Sequence, residues 1–207
     1  MIKTTIPWID NMPADWKIKR LKNIAKIKTG DKDTINRNKN GKYPFYVRSQ
    51  KIERINSYTF EGEAILTAGD GVGVGKVFHY VNEKFDYHQR VYKISDFKGI
   101  DGKYLFYYIK NNLPKEIIRK NAKSTVDLLR LPMFLGFPVT FGTLAEQREI
   151  VNILDNKISS LSKSNLVILS EIEKLQEYKK ILIHDVVTGK MKVTVWRFQK
   201  NKSLKII

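Results

Sequence analysis

The chain has no cysteine, so disulfides and thiolate metal sites are excluded, a composition that suits a reducing cytosol. It has no run of 18 apolar residues, and Met1 is followed by Ile-Lys-Thr-Thr-Ile-Pro rather than by the apolar stretch of a signal peptide. The expectation is a soluble cytoplasmic protein without a membrane partner. Histidine is scarce: His79, His88 and His184 are scattered at spacings that give no metal site. No Asp/Asn-Pro-Pro-Tyr/Phe motif for amino methylation occurs, and no His-Glu-x-x-His. Glu177-Tyr178-Lys179 matches a nuclease-like Glu-x-Lys string but has no suitable upstream acidic partner and falls in a helical segment. No catalytic residue and no metal ligand is therefore assigned. Acidic residues are also in deficit, 21 against 38 Lys plus Arg, for a net charge of +17. Such an excess is an electrostatic footprint for a polyanion.

What is present is enough to fold. The 207 residues are 42% hydrophobic and include 10 Phe, 10 Tyr and 3 Trp. The length fits one domain plus an appendage. Four glycines mark the segment "TAGDGVGVGK" from Thr67 to Lys76. As a Walker A loop it fails: Asp70 stands where the first glycine belongs and Val77 where the magnesium-binding hydroxyl belongs. The dinucleotide fingerprint fails as well, because Gly71, Gly73 and Gly75 recur every second residue with no helix signal behind them. The segment reads instead as a hairpin turning at Asp70-Gly71, with the other glycines letting another backbone approach.

The pattern before Gly142 predicts an α+β domain. "YPFYV" (Tyr43 to Val47), "AILTA" (Ala64 to Ala68), "GKVFHYV" (Gly75 to Val81) and "RVYKI" (Arg90 to Ile94) are strand-like runs bounded by turn residues. Lys103 to Leu113 reads as a helix, with a second helical piece beyond Pro114. After Gly142 the period changes. Positions spaced alternately four and three apart from Gln147 onward include Val151, Leu154, Ile158, Leu161, Asn165, Ile168, Ile172, Leu175, Lys179, Leu182 and Val186, a coiled-coil seam stopped by Gly189. From Leu144 to Val187 such a helix is about 66 Å long at roughly 1.5 Å per residue, too long to bury its seam on a small domain. It needs a partner helix. In an antiparallel homodimer Asn165, near the middle, meets its own copy, whereas a parallel pair would set Lys179 against Lys179. The expected domains are a globular domain over 1–142, a coiled-coil helix over 143–190 and a tail over 191–207.

"IPWIDNMPADWKIKRLKNIAKIKTG", the hairpin "AILTAGDGVGVGKVF", the "STV" at Ser124 to Val126, and "LAEQREIVNILDNKI" with its closing "LIHDVVTGKMKV" together resemble, in order, one half of a Type I restriction-modification specificity subunit. In that family a target recognition domain precedes a long helix, and a full subunit repeats the unit so that its two helices pair antiparallel. The chain departs from the family at Pro138, where a proline pair is usual, and at Lys123, where a glycine is usual. After Val193 it runs "TVWRFQKNKSLKII" with no second copy of the unit, so the expectation is a half subunit.

The resemblance implies a non-catalytic reader of double-stranded DNA. Methylation subunits that bind S-adenosylmethionine, and a restriction subunit that uses ATP and magnesium, would be its partners. This chain would bind no cofactor. The candidate DNA-binding residues are Arg48, Ser49, Gln50 and Lys51; Thr67, Asp70, Gly71, Gly73 and Lys76 of the glycine hairpin; His88, Gln89 and Arg90; and Lys123, Ser124 and Thr125. Lysines and arginines neutralise phosphates, while Arg, Gln and His suit guanine or adenine edges. Two copies joined by their helices would read an interrupted palindrome; a different half subunit as partner would make the target bipartite and asymmetric. Two other readings stand beside this one: a coiled-coil interaction protein with an incidental basic surface, and an autonomous nuclease or methyltransferase.

Overall fold

The computed structural model describes residues 1–121 and 128–191. Lys123, Ser124 and Thr125, and the tail from 192 onward, lie outside the described residues. Among the described residues ten strands occur in the order β1 (Ile2–Lys3), β2 (Asn11–Met12), β3 (Lys17–Arg20), β4 (Lys26–Thr29), β5 (Tyr43–Tyr46), β6 (Glu53–Ile55), β7 (Phe60–Ala68), β8 (Phe78–Tyr87), β9 (Val91–Ser95) and β10 (Pro138–Phe141). Helices α1 (Gly102–Asn121) and α2 (Leu131–Leu135) precede β10, and α3 (Leu144–Val187) follows it. The expected α+β class is what the chain forms.

The main sheet has six strands in the order β4-β9-β7-β8-β5-β6, antiparallel except for the parallel β5–β8 pair. Its central strand β7 is covered on both faces, which is why "AILTA" is a continuous apolar run. Ile65, with Phe78 and Ile94, joins Leu105, Ile109, Leu113 and Ile117 of α1 in the largest core cluster. Ala64 and Leu66 turn the other way, into a second cluster with Tyr46, Val81, Phe85, Tyr87 and Val91. Asp101 caps α1, its side chain accepting from the amides of Lys103 and Tyr104 at 3.0 Å.

Two local expectations are corrected. Pro114 does not divide α1; the helix runs through it. A proline in a helix removes one hydrogen bond and crowds the preceding turn, but Leu113 and Ile117 on either side are buried, and their packing holds the helix together. The β7–β8 hairpin forms, with Thr67 opposite Phe78. Its connection is not a tight turn at Asp70-Gly71, however, but a longer loop containing a 3-10 turn over Gly71–Gly73. Gly71 takes a φ of +71° there, and a Cβ on Gly73 would lie 2.3 Å from the Arg48 carbonyl oxygen. The backbone that approaches this glycine is the chain's own.

The chain divides into two compact units, Met1–Ile153 and Leu154 onward. The first takes in the start of α3, so it extends past the boundary expected at residue 142. Thr143 and Glu146 form a reciprocal cap: the Glu146 carboxylate accepts from the Thr143 amide at 2.7 Å, and Thr143 Oγ1 accepts from the Glu146 amide at 3.3 Å. Gln147, fully buried, receives the Asp101 amide at 2.8 Å and donates to the Gly142 carbonyl at 3.0 Å. Val151, assigned to the dimer seam by spacing, is buried in the largest core cluster. A core-facing turn and a coiled-coil seam share the same period, so spacing alone does not separate them.

In the second unit the helix carries regularly spaced apolar side chains that are uncovered. Ile158, Leu161, Ile168, Ile172, Leu175 and Leu182 are exposed, Leu161 to 64% and Leu175 to 67%. Exposure extends beyond the seam to Leu166, Val167 and Leu169, which makes the middle of this segment apolar on more than one side. No helix among the described residues is long and apolar enough to cross a membrane.

Candidate nucleic-acid interface

The sheet register brings three dispersed sequence segments to one edge. Ala68 pairs with Val91, so Asp70 and Arg90 lie just beyond the end of the β7–β9 ladder, where the Gly69 amide donates to the Arg90 carbonyl at 2.8 Å. Arg48, two residues past β5, lies against the same loop through the close approach of Gly73. Arg48 Nη1 is 2.9 Å from Asp70 Oδ1, and Arg90 Nη1 is 2.6 Å from Asp70 Oδ2. One carboxylate thus holds two guanidinium groups. Both arginine side chains remain substantially exposed, 42% for Arg48 and 59% for Arg90. Each guanidinium has five N–H donors, so donors remain on each for a further partner.

The electrostatics follow from this geometry. Burial tends to raise the Asp70 pKa, but hydrogen bonds and charge from Arg90 and Arg48 outweigh it and hold the carboxyl below its ordinary value. Arg90 is shifted further up by its hydrogen bond to Asp70. Asp70 therefore stays ionised and orients the pair, and the trio keeps a net positive charge. Asp70, a DNA-contact candidate by sequence, is engaged here by both arginines.

Of the other candidates, Ser49, Gln50, Lys51, Lys76 and Gln89 are exposed. Gln50 Nε2 donates to the Lys76 carbonyl at 2.8 Å, tying the segment after β5 to the glycine loop. Thr67 and His88 do not belong to the exposed set. Thr67 is buried, and its hydroxyl donates to the Val77 carbonyl at 3.0 Å, closing the base of the loop. His88 is 2% exposed, and its Nδ1 accepts from the Arg90 amide at 3.0 Å. Burial lowers its pKa, with Asp33 only partly offsetting the effect. Its Nε2 lies 3.6 Å from Asp33 Oδ1. His88 thus braces the Arg90 turn from a buried position. Gly73 is likewise buried beneath Arg48.

A residue missed in the sequence completes the edge. Asp33 accepts from Gln89 Nε2 at 2.6 Å and caps the 3-10 turn Thr34–Asn36 through a reciprocal pair with Asn36. The string "DTIN" carries a recognisable capping signal. Thr34 then lines a shallow groove with Arg48, Ser49, Asp70 and Val72. Ile35 and Val72, at the tips of their turns, are 88% and 86% exposed. The result is a rim of anchored guanidiniums, amide side chains and two apolar tips, donors and surfaces of the kinds that meet base edges and thymine methyls.

The globular unit thus combines a six-stranded mixed sheet, packed against α1, with two anchored and exposed arginines at the strand ends. Residues 13–174 match the family model for the Type I restriction modification DNA specificity domain, and the chain belongs to that family. It is 26% identical over 190 residues to the EcoDI specificity subunit of Escherichia coli, covering 92% of this chain and 41% of that protein. A solved structure bearing on complex assembly and conformational transition of the type I R-M system superposes with a TM-score of 0.68 at 17% identity, over 86% of this chain and 47% of the other. The S subunit from M. genitalium gives 0.60 at 18% identity, over 73% of this chain and 42% of the other. The chain spans less than half the length of each.

Proposed function

We propose that this chain is a DNA-sequence specificity component of a Type I restriction-modification system and reads one half of a bipartite target. The observation that carries the reading is the pair Arg48 and Arg90, fixed by Asp70 yet exposed, on the globular unit of a chain belonging to the specificity-domain family. Lysines around this edge supply sequence-independent attraction to phosphate, and the oriented guanidiniums and Gln50 or Gln89 supply base-edge contacts. The chain acts without catalysing a reaction. Methylation subunits carry S-adenosylmethionine, and a restriction subunit carries ATP and magnesium.

The exposed apolar stripe of α3 supports pairing with a second half subunit through an antiparallel coiled coil. A homodimer so built carries two identical readers about a two-fold axis, and its target is two inverted half-sites of about three to five base pairs around an unread spacer. Selection from a random duplex pool at physiological salt tests this reading. Enrichment of one motif is expected, weakened for Arg90→Ala. Binding without sequence preference would overturn it, and a single asymmetric motif would replace the homodimer by a mixed pair.

A further inference from the structure

A second cluster of cations lies away from the arginine edge, on β4 and β9. These strands pair with Lys26 opposite Ser95 and Lys28 opposite Lys93. Directly opposed residues of an antiparallel pair share a face, and like charges so placed repel. On this face the central strands carry the apolar residues of the second core cluster, yet the β4–β9 margin carries three lysines. Lysines on β4 have an ordinary explanation, because it is an edge strand and charge there discourages pairing with another chain. That explanation does not reach Lys93. Its strand is internal, between β4 and β7, and the residue is only 6% exposed.

Among the described residues Lys93 also makes no salt bridge, Asp96 acting on it only at longer range. Its ammonium lies 3.3 Å from the centroid of the Phe60 ring and 5.9 Å from that of Tyr87. Nearby charges are already engaged: Lys26 lies 3.9 Å from Asp96, and Asp31 lies 3.6 Å from Lys32. Lys28 and Lys93 are left without an ion pair among the described residues. Both line a cavity together with Lys26, Thr29, Thr59 and Tyr87, with Asp31 and Asp96 also in its wall. On the same face of β9, the buried Ser95 hydroxyl has no hydrogen-bond partner among the described residues. A buried cation opposite a second cation, opening into a cavity with hydroxyl groups, is costly for an empty fold and suited to a bound anion.

We propose that the Lys26, Lys28 and Lys93 cavity is an oxyanion site that takes one phosphate group, separate from the arginine edge. Burial pushes the Lys93 ammonium down to about 8; Asp96 counters this in part, and Lys28 and Lys26 add to it. A bound phosphate reverses that balance and raises the pKa. The Tyr87 hydroxyl, pushed up by burial and by Asp31 and Asp86, remains protonated and able to donate. The phosphate comes either from free anion or from the backbone of a nucleic acid, and the assignment of the cavity does not depend on the specificity reading.

Inorganic phosphate is the probe. With the full chain at matched ionic strength, phosphate is expected to raise the unfolding temperature relative to chloride and to move the Lys93 side-chain NMR resonance and its titration upward. Lys93→Met should weaken phosphate binding by about tenfold or more, the loss expected for one charge-assisted contact. Lys28→Gln, at an exposed position, should weaken it while leaving the fold intact. Equal stabilisation of all three proteins by phosphate, or a Lys93 resonance indifferent to it, overturns the proposal and leaves the arginine-edge reading untouched. A DNA arm identifies the source: if the site holds backbone phosphate, Lys28→Gln lowers the slope of log affinity against log salt by about 0.9. An unchanged slope with phosphate binding lost in the variant assigns the site to free anion.

Discussion

The two compact units use apolar residues in opposite ways. In Met1–Ile153, Ile65 and Leu66 are adjacent and both fully buried because β7 is covered on its two faces. In the helix beyond Leu154, Leu161, Ile172 and Leu175 follow an equally regular period and remain exposed. The first unit encodes its own core. The second encodes a surface that lowers its free energy only when something covers it, and large uncovered apolar patches mark interaction sites. Charge follows a similar division of labour within the first unit: Asp70 neutralises only part of the Arg48 and Arg90 pair, leaving an anchored positive edge.

The sharpest break between the two uses comes from charge placed in the apolar stripe. Leu161→Asp combined with Ile172→Asp should abolish the proposed self-association in sedimentation equilibrium while leaving the globular unit folded by near-ultraviolet circular dichroism. The converse substitution, Leu105→Ala in the core, should cost about 2–5 kcal/mol in denaturant unfolding while leaving the proposed helix-pairing surface in place. Smaller effects belong to the recognition edge. Arg90→Ala should cost about 1–3 kcal/mol of discrimination at one base position, read by competition between matched and mismatched duplexes. Asp70→Asn should weaken specific more than non-specific binding, since it releases two guanidiniums without removing either.

The pH profile sharpens the same contrast inside the first unit. Burial lowers Lys93 to about 8 from an ordinary 10.5, so between these values the unfolded chain binds more protons and stability rises with pH. Burial raises Tyr46 and Tyr104 above their ordinary 10.0, so their contribution, complete below pH 10, is lost above it. Stability should therefore climb by on the order of 2 kcal/mol from pH 8 to 10 and then fall. Lys93→Met should flatten the climb. Below these in size is the α3 cap, where Thr143→Ala should cost about 1 kcal/mol.

Much of this was legible in the chain itself. The apolar run Ala64 to Ala68 reads as a strand, and Arg48 and Arg90 stand out by residue type as base-edge candidates. What escaped was long-range. Nothing local shows that Gly73 packs under the Arg48 carbonyl, that Asp70 serves both arginines, or that His88 turns inward. Each depends on the β7–β9 register and the meeting of three segments far apart in sequence. Pro114 was read as an interruption because local preference opposes it, whereas packing of Leu113 and Ile117 decides the outcome. Val151 shows the same limit: a period of 3.6 states that one face is apolar, not which surface covers it. The Asp33 turn was available as a capping pattern, but only its contact with Gln89 makes it part of the edge.

The most direct test is a genome-wide map of methylated adenines made by this chain together with the methylation subunits proposed as its partners. The account predicts methylation at one motif of two inverted half-sites with a fixed spacer, lost when Arg48 and Arg90 are both replaced by alanine. Methylation scattered without a motif, or a motif unchanged by that double replacement, would contradict it.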